Sequence, residues 1–197
     1  MNESLEMLFK ANNGILSTAQ LKAEKLYHEN IVRMMKNGEI ERIRRGFYQY
    51  VSDREFSDIP TITRLFPDAV ICLESALDHY GYTDRTPSSW HLAVPYSSAR
   101  LRFRIDYPMI KPHFIREDKY YVGITKTVID DTEVMIYDRE RTICDLLLHK
   151  NKIDSEVFRT AIQRYVNDPR KSEAHLIEYA KKLRVERKAR EMVITWL

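Results

Sequence analysis

The chain has 197 residues, of which 44% are hydrophobic and 31% are charged, with two cysteines and a formal net charge of +3. This length fits one large domain or two small ones, and the apolar fraction supports a packed core rather than disorder. Two cysteines exclude a disulfide scaffold, no apolar run could span a bilayer, and the acidic N-terminus lacks a signal-peptide pattern, so we expect a cytoplasmic protein.

Three short helices are predicted before residue 38. Ser4 can cap the first, and Asn12-Asn13-Gly14 ends it because Asn and Gly tolerate the left-handed conformation. Ser17 and Gln20 have the spacing of a capping box that starts a second helix, from about Thr18 to Lys25. A third helix is expected from about His28 to Asn37, ending at Gly38.

A two-stranded hairpin is predicted next. Residues 39–44 alternate polar and apolar side chains with the period of a strand, Arg45-Gly46 forms a turn, and residues 47–51 return as a second strand. Three short helices followed by a tight hairpin are typical of a winged helix-turn-helix. Residues 1–55 are therefore predicted to form a DNA-binding domain of this kind.

Basic residues are concentrated in this segment. Residues 20–48 contain seven basic and four acidic side chains, a net charge of +3. A helix fits the major groove, where Asn and Arg suit adenine and guanine, and hairpin arginines can reach phosphates or a minor groove. The candidate DNA-binding residues are Tyr27, His28, Asn30, Arg33, Lys36, Arg42, Arg44 and Arg45. The alternative is a winged helix that serves only as a protein-interaction module and binds no DNA.

The remainder, residues 56–197, is predicted to be an α+β domain. Helices are expected at residues 61–66 and from Asp68 to Gly81, and strands at residues 90–94, 111–116, 121–129 and 132–137. The last two strands are joined by a turn at Asp130-Asp131, and the following residues are helical, with caps at Asp154 or Ser155 and at Ser172. The predicted fold class is thus α+β, an N-terminal winged helix-turn-helix followed by a domain with a small mixed sheet and a helical C-terminus.

Four segments in this order resemble the AbiEi-type abortive-infection antitoxins: residues 38–48, 70–84, 90–95 and 137–145. The resemblance implies a type IV toxin–antitoxin system acting in antiviral defence. In such a system the antitoxin represses its own operon by binding inverted repeats in the promoter. Its second domain opposes a nucleotidyltransferase-like toxin without a stable complex. By position, the resemblance places Tyr27, His28, Asn30 and Arg33 on the recognition helix and the three hairpin arginines on the wing, but it singles out no antitoxin residue in the second domain.

A second basic cluster lies near the C-terminus. Residues 181–190 contain six basic side chains and one acidic side chain, a net charge of +5. Three interpretations stay open: a further electrostatic footprint on DNA, a surface that faces the toxin or its substrate, and simple solubility. The residues of this possible second basic surface are Lys181, Lys182, Arg184, Arg187, Lys188 and Arg190.

Two enzyme-like patterns are weaker than the antitoxin interpretation. Pro67-Asp68 with Glu117-Asp118-Lys119 imitates a metal-dependent nuclease, but a helix cap and a turn are the expected places of these carboxylates, whereas a magnesium site needs adjacent strands. Cys72 with His79, and Cys144 with His149, lack the paired spacing of a zinc site, so the cysteines are expected to be buried and structural. The sequence therefore predicts a non-enzymatic antitoxin and autorepressor without cofactor or metal, and a nuclease is the less favoured alternative.

Overall fold

The computed structural model describes residues 3–51 and 57–196. The chain forms two compact units, the first made of Met1–Leu65 with Arg104–Pro108 and the second of Phe66–Phe103 with Met109–Leu197. The predicted boundary at residues 55–56 lies outside the described residues and stays a prediction. The helix Asp58–Leu65, which was assigned by sequence to the second domain, belongs to the first compact unit.

The first unit has the element order of a winged helix, followed by one further helix. Its three strands form a sheet of order β1-β3-β2 in which both pairings are antiparallel. This topology confirms the predicted winged helix-turn-helix. The elements are α1 (Glu3–Ala11), β1 (Ile15–Ser17), α2 (Thr18–Ala23), α3 (His28–Lys36), β2 (Ile40–Arg44), β3 (Phe47–Tyr50) and α4 (Asp58–Leu65).

The predicted stop after α1 and the predicted capping box of α2 are confirmed, whereas the predicted cap at Ser4 was wrong because Ser4 lies within α1. The Gln20 N–H donates to Ser17 Oγ (3.2 Å), and the Ser17 N–H donates to Gln20 Oε1 (3.0 Å), which completes the capping box of α2. Asn13 and Gly14 take positive φ angles of 53° and 79° after α1. The amphipathic faces then share one core, composed of Leu5, Phe9, Leu16, Leu21, Ile31, Met34 and Ile40.

Strand β1 is a finding that the sequence did not predict. Ile15 and Leu16 are fully buried, and Ile15 to Ser17 pair with Gln49 to Phe47 of β3. Three residues are too few to show the alternation of a strand, and Ser17 carries a stronger helix-cap signal. These three residues form a strand only because β3 of the hairpin pairs with them in the fold.

The second unit contains a five-stranded mixed sheet of order β6-β5-β4-β8-β7. β5–β6 and β4–β8 are parallel, whereas β4–β5 and β7–β8 are antiparallel, which confirms the predicted mixed sheet and helical C-terminus. The elements are β4 (Val70–Ile71), α5 (Leu73–His79), β5 (Trp90–Pro95), β6 (Ile110–Ile115), α6 (Glu117–Tyr120), β7 (Ile124–Ile129), β8 (Thr132–Tyr137), α7 (Arg139–Leu148), α8 (Ser155–Asn167), α9 (Glu173–Leu183) and α10 (Glu186–Met192).

Two predictions for this unit were wrong in detail. The helix expected from Asp68 begins only at Leu73, because Val70 and Ile71 form the central strand of the sheet. Two buried apolar residues fit a central strand and a buried helix equally well, so periodicity could not decide. The strand expected from Tyr121 begins at Ile124, after the short helix α6. The turn at Asp130-Asp131 is confirmed, with φ angles of 47° and 58°.

A buried arginine organises the start of α7. Arg141 is 1% exposed, and its Nε donates to Asp145 Oδ1 at 2.9 Å. Its Nη1 donates to the carbonyls of Lys119 and Val122 at 2.6 and 2.7 Å, and its Cζ lies 4.0 Å from the centroid of the Tyr137 ring. One side chain therefore fastens the loop before β7 to both α7 and the end of β8.

Three histidine rings form a column beside the sheet. The ring centroids of His91 and His113 are 5.1 Å apart, and those of His113 and His149 are 6.1 Å apart. His91 is 3% exposed, and its buried Nδ1 has no hydrogen-bond partner in the described part of the chain. Burial, with the neighbouring His113, lowers the pKa of His91 to about 3. This histidine is therefore neutral in the fold at neutral pH.

We expect acid to destabilise the second unit through His91. Its pKa in the fold is about 3, against an ordinary value of 6.5, so the unfolded chain binds the extra proton first. Between these two pH values the free energy of unfolding should fall by roughly 1.4 kcal/mol per pH unit from this group. Urea unfolding between pH 7 and pH 4 should show a shallower decline for His91→Phe. Equal declines in the two proteins would show that this ring is not the acid-labile group.

Candidate nucleic-acid interface

Helix α3 presents a charged face to solvent. Ile31 and Met34 are buried on its inner side, whereas Glu29, Arg33 and Lys36 are exposed. The last three residues are spaced four and three apart, so they lie on one outer face. Tyr27, which is 62% exposed, and His28, also exposed, stand at the N-terminal end of this face. Four of the five predicted residues of the recognition helix are therefore accessible.

Asn30 has a different environment from the other candidates on α3. It is half-buried, and its Oδ1 accepts a hydrogen bond from the Tyr27 N–H at 3.2 Å. This contact stabilises the first turn of the helix. A two-pronged contact with adenine needs both the oxygen and the NH₂ group of the amide. Base contact by Asn30 therefore competes with the cap for the same oxygen, which sequence reasoning did not anticipate.

The wing carries two exposed arginines and one that is partly covered. Arg42 and Arg45 are exposed, while Arg44 is half-buried, with its Cζ 4.6 Å from the centroid of the Phe47 ring. The ladder shifts register between Arg42 and Arg44, and the tight Arg45-Gly46 turn is made possible by the Gly46 φ of 89°. The structure brings the three predicted arginines together at the tip of one hairpin.

Backbone hydrogen bonds fix the wing to the helices. The Thr18 N–H, at the start of α2, donates to the Gly46 carbonyl at 2.8 Å. The Tyr50 N–H donates to the Gly14 carbonyl, also at 2.8 Å. These two bonds, one at each end of β3, fix the position of the wing relative to α2 and to the loop after α1.

A polar cluster connects α4 to the capping box of α2. The Gln20 Nε2 donates to Asn12 Oδ1 at 2.9 Å. The guanidinium of Arg64 reaches both groups, through Nη2 to Gln20 Oε1 and through Nη1 to Asn12 Oδ1. Gln20 therefore serves the start of α2 and the attachment of α4 together.

We expect Gln20→Ala to lower the stability of the first unit by about 1–2 kcal/mol, because the cap and the acceptor for Arg64 are lost together. Amide hydrogen exchange of α2 and β1 measures this effect directly. Lys22→Ala, an exposed change on the same helix, should leave the free energy of opening that the exchange rates give within about 0.5 kcal/mol of the wild-type value. Equal exchange rates for Gln20→Ala and Lys22→Ala would contradict the role of Gln20.

Sequence reasoning gave no role to Glu29. This residue is exposed on the outer face of α3, one helical turn before Arg33. The prediction considered side chains that suit guanine and adenine and so left an acidic residue out. The helical spacing alone, which places Glu29 on one face with Arg33, would have found it.

Half of the side chains of the C-terminal basic cluster are paired with acidic neighbours within their own unit. Lys182 and Arg190 form ion pairs with Glu178 at 2.7 Å and Glu186 at 2.8 Å. Arg187 Nε lies 4.0 Å from the Glu191 carboxylate, and Lys188 Nζ donates a hydrogen bond to the Leu147 carbonyl at 2.9 Å. Lys181 and Arg184 are exposed. A second DNA footprint at this cluster stays a prediction.

The nuclease-like pattern is spread over separate structural roles. Asp68 lies in the turn before β4 and forms an ion pair with Arg102, so its predicted role as a helix cap was wrong. Glu117 and Asp118 begin the short helix α6. Within residues 3–51 and 57–196, no group of three or more His, Cys, Asp or Glu side chains could hold a metal ion.

The cysteines are not a reactive pair. Both Cys72 and Cys144 are free and buried, and burial raises the pKa of each thiol above its ordinary range. A protonated, enclosed thiol is a poor nucleophile and a poor metal ligand. Both side chains therefore act as small core residues.

Comparison with known proteins finds a similarity for the N-terminal part of the chain. Residues 3–51 match a family model described as "Transcriptional regulator, AbiEi antitoxin". These residues are therefore similar to the AbiEi antitoxin family. The match covers α1 to β3, the whole winged helix, and so confirms the AbiEi resemblance over this part of the chain. The AbiEi family supports a role as antitoxin and transcriptional regulator.

The rest of the chain lies beyond the matched AbiEi segment. The resemblance stated for residues 70–84, 90–95 and 137–145 therefore stays a prediction. The search of curated proteins returned no match to the chain. Among the described helices, none has the length and apolar character that a membrane crossing requires.

Proposed function

We propose that this chain is an antitoxin that represses its own operon by binding inverted repeats in the promoter. In this proposal α3 enters the major groove, and the wing holds the flanking phosphates. The observation that carries it is the joint exposure of Arg33 and Lys36 on α3 and of Arg42 and Arg45 on the wing, within a segment that matches the AbiEi antitoxin family.

The pairing of charges favours DNA over a purely protein-binding winged helix. Within the described part of the chain, the side chains of Arg33, Lys36, Arg42 and Arg45 make no ion pair or hydrogen bond. By contrast, three of the six basic residues of the C-terminal cluster lie within 4.0 Å of an acidic side chain. Unpaired exposed cations gain the most from phosphate, since their binding releases the counterions condensed on DNA.

The second unit, in the same proposal, opposes a nucleotidyltransferase-like toxin in the cytoplasm during abortive infection. No stable complex with the toxin is required. Co-expression of the chain with a toxin encoded next to its gene should restore growth, while affinity purification of the chain should recover no stoichiometric toxin. Growth arrest in spite of expression would contradict the antitoxin role.

A mobility-shift assay tests the DNA-binding role. A duplex taken from upstream of the gene should be shifted at lower protein concentration than a shuffled duplex of the same composition. Disruption of one arm of the inverted repeat should remove one bound copy. With magnesium present, the duplex should stay intact, whereas cleavage would support the nuclease alternative. A protein-interaction module would shift neither duplex.

A further inference from the structure

Glu29 occupies an unexpected position on the proposed DNA-facing helix. It is exposed and lies one helical turn before Arg33 on the outer face of α3. In the part of the chain that the structure describes, its carboxylate makes no hydrogen bond and no ion pair, even with Arg33. It is thus available to a partner outside the protein.

A carboxylate at this place opposes general attraction to DNA. Its negative charge faces the same phosphates that Arg33 and Lys36 attract, so it lowers the affinity for every duplex alike. That cost is recovered only where a hydrogen-bond donor meets the carboxylate on the floor of the groove. In the major groove, donors are the N4 amino group of cytosine and the N6 amino group of adenine.

We propose that Glu29 is a specificity-determining residue that accepts a hydrogen bond from the N4 amino group of cytosine in the operator. Adenine is the poorer partner because its N7 acceptor lies beside the amino group and repels a second carboxylate oxygen. Guanine and thymine present acceptors at the corresponding positions. The assignment rests on the proposed DNA-binding function and deepens it.

The neighbouring arginine extends this assignment. Arg33 lies four residues further along α3, a rise of about 6 Å along the helix axis. Base pairs in B-DNA are about 3.4 Å apart, so the two side chains reach positions one to two steps apart. Arginine is suited to the O6 and N7 atoms of guanine. A cytosine read by Glu29 should therefore lie within two steps of a guanine read by Arg33.

The test compares binding profiles over duplexes with single base-pair changes. The wild-type protein should lose about 5- to 150-fold in affinity when one C·G pair of the operator is changed. Glu29→Gln should lose this discrimination at that position alone and favour A·T there, since glutamine can form a two-pronged contact with adenine. It should also bind random duplex more tightly than the wild type.

Glu3→Gln is the matched control. Glu3 is likewise an exposed acidic residue in the first turn of a nine-residue helix, but it lies on α1. Glu3→Gln removes the same charge and the same favourable interaction with a helix dipole as Glu29→Gln does. Because Glu3 lies outside α3, this substitution should leave the single-position profile unchanged. Thermal unfolding of both variants checks that the winged helix is intact.

The two levels of the proposal fail in different ways. If the wild type prefers its upstream DNA but Glu29→Gln keeps the same single-position profile, as Glu3→Gln should, or changes the affinity equally for all duplexes, the assignment of Glu29 is wrong and the proposed function stands. If the wild type has no preference for any duplex, the proposed function is wrong and the assignment falls with it.

Discussion

Replacement of Arg42 and Arg45 by alanine is expected to weaken binding to the upstream DNA by about 10- to 100-fold near 0.1 M salt. Both side chains are exposed at the tip of the wing and have no acidic partner in the described part of the chain. Each neutralised phosphate contributes about 0.9 to the slope of log affinity against log salt, so the slope should fall by about 2. Fluorescence anisotropy at several salt concentrations measures both quantities.

The control removes two cations from the second unit. Arg116 and Lys126 are exposed and form ion pairs with Asp118 and Glu133, so Arg116→Ala with Lys126→Ala changes the net charge equally. We expect this double variant to keep the wild-type slope. If the Arg42 and Arg45 variant also keeps the slope and affinity of the wild type, the wing is not part of the interface.

Arg141→Met is expected to lower the free energy of unfolding of the second unit by about 3–5 kcal/mol, the largest stability effect that we expect in the chain. The substitution leaves the Asp145 carboxylate buried without its cation and leaves two backbone carbonyls without their donor. Burial already raises the pKa of Asp145, so protonation of this carboxyl would offset part of the loss at low pH. Urea unfolding followed by circular dichroism gives the value.

A double substitution separates the buried charge from the lost packing. Adding Asp145→Leu to Arg141→Met removes the orphaned carboxylate and should recover part of the loss, because an apolar pair can replace a buried ion pair. Arg159→Met, an exposed change on α8, should stay within about 0.5 kcal/mol of the wild type. An Arg141→Met protein as stable as Arg159→Met would show that the buried network adds nothing to stability.

The winged helix was predictable because local signals define most of its elements. The Ser17 and Gln20 capping box, the Asn13-Gly14 stop and the Arg45-Gly46 turn each specify a boundary within a few residues of sequence. The same holds for the ion pairs of the C-terminal cluster, since Glu178 and Glu186 stand four residues before Lys182 and Arg190.

The features that escaped prediction depend on contacts between distant residues. β4 is a strand because β5 and β8 flank Val70 and Ile71, not because of any pattern in this pair. From the sequence alone, Arg141 would be predicted to be an exposed charge on α7. Only the fold brings the carbonyls of Lys119 and Val122 within hydrogen-bond distance of its guanidinium. Likewise, the sequence does not show whether the Asn30 amide faces DNA or caps α3, and only the fold shows its hydrogen bond with the Tyr27 N–H.

Hydrogen–deuterium exchange of the full chain, with and without the upstream duplex, tests most directly whether α3 and the wing together grip DNA. We expect the duplex to slow exchange in His28–Lys36 and in the hairpin from Ile40 to Tyr50, with smaller changes elsewhere. Binding that leaves both segments unprotected, or that protects only residues 181–190, would contradict the account.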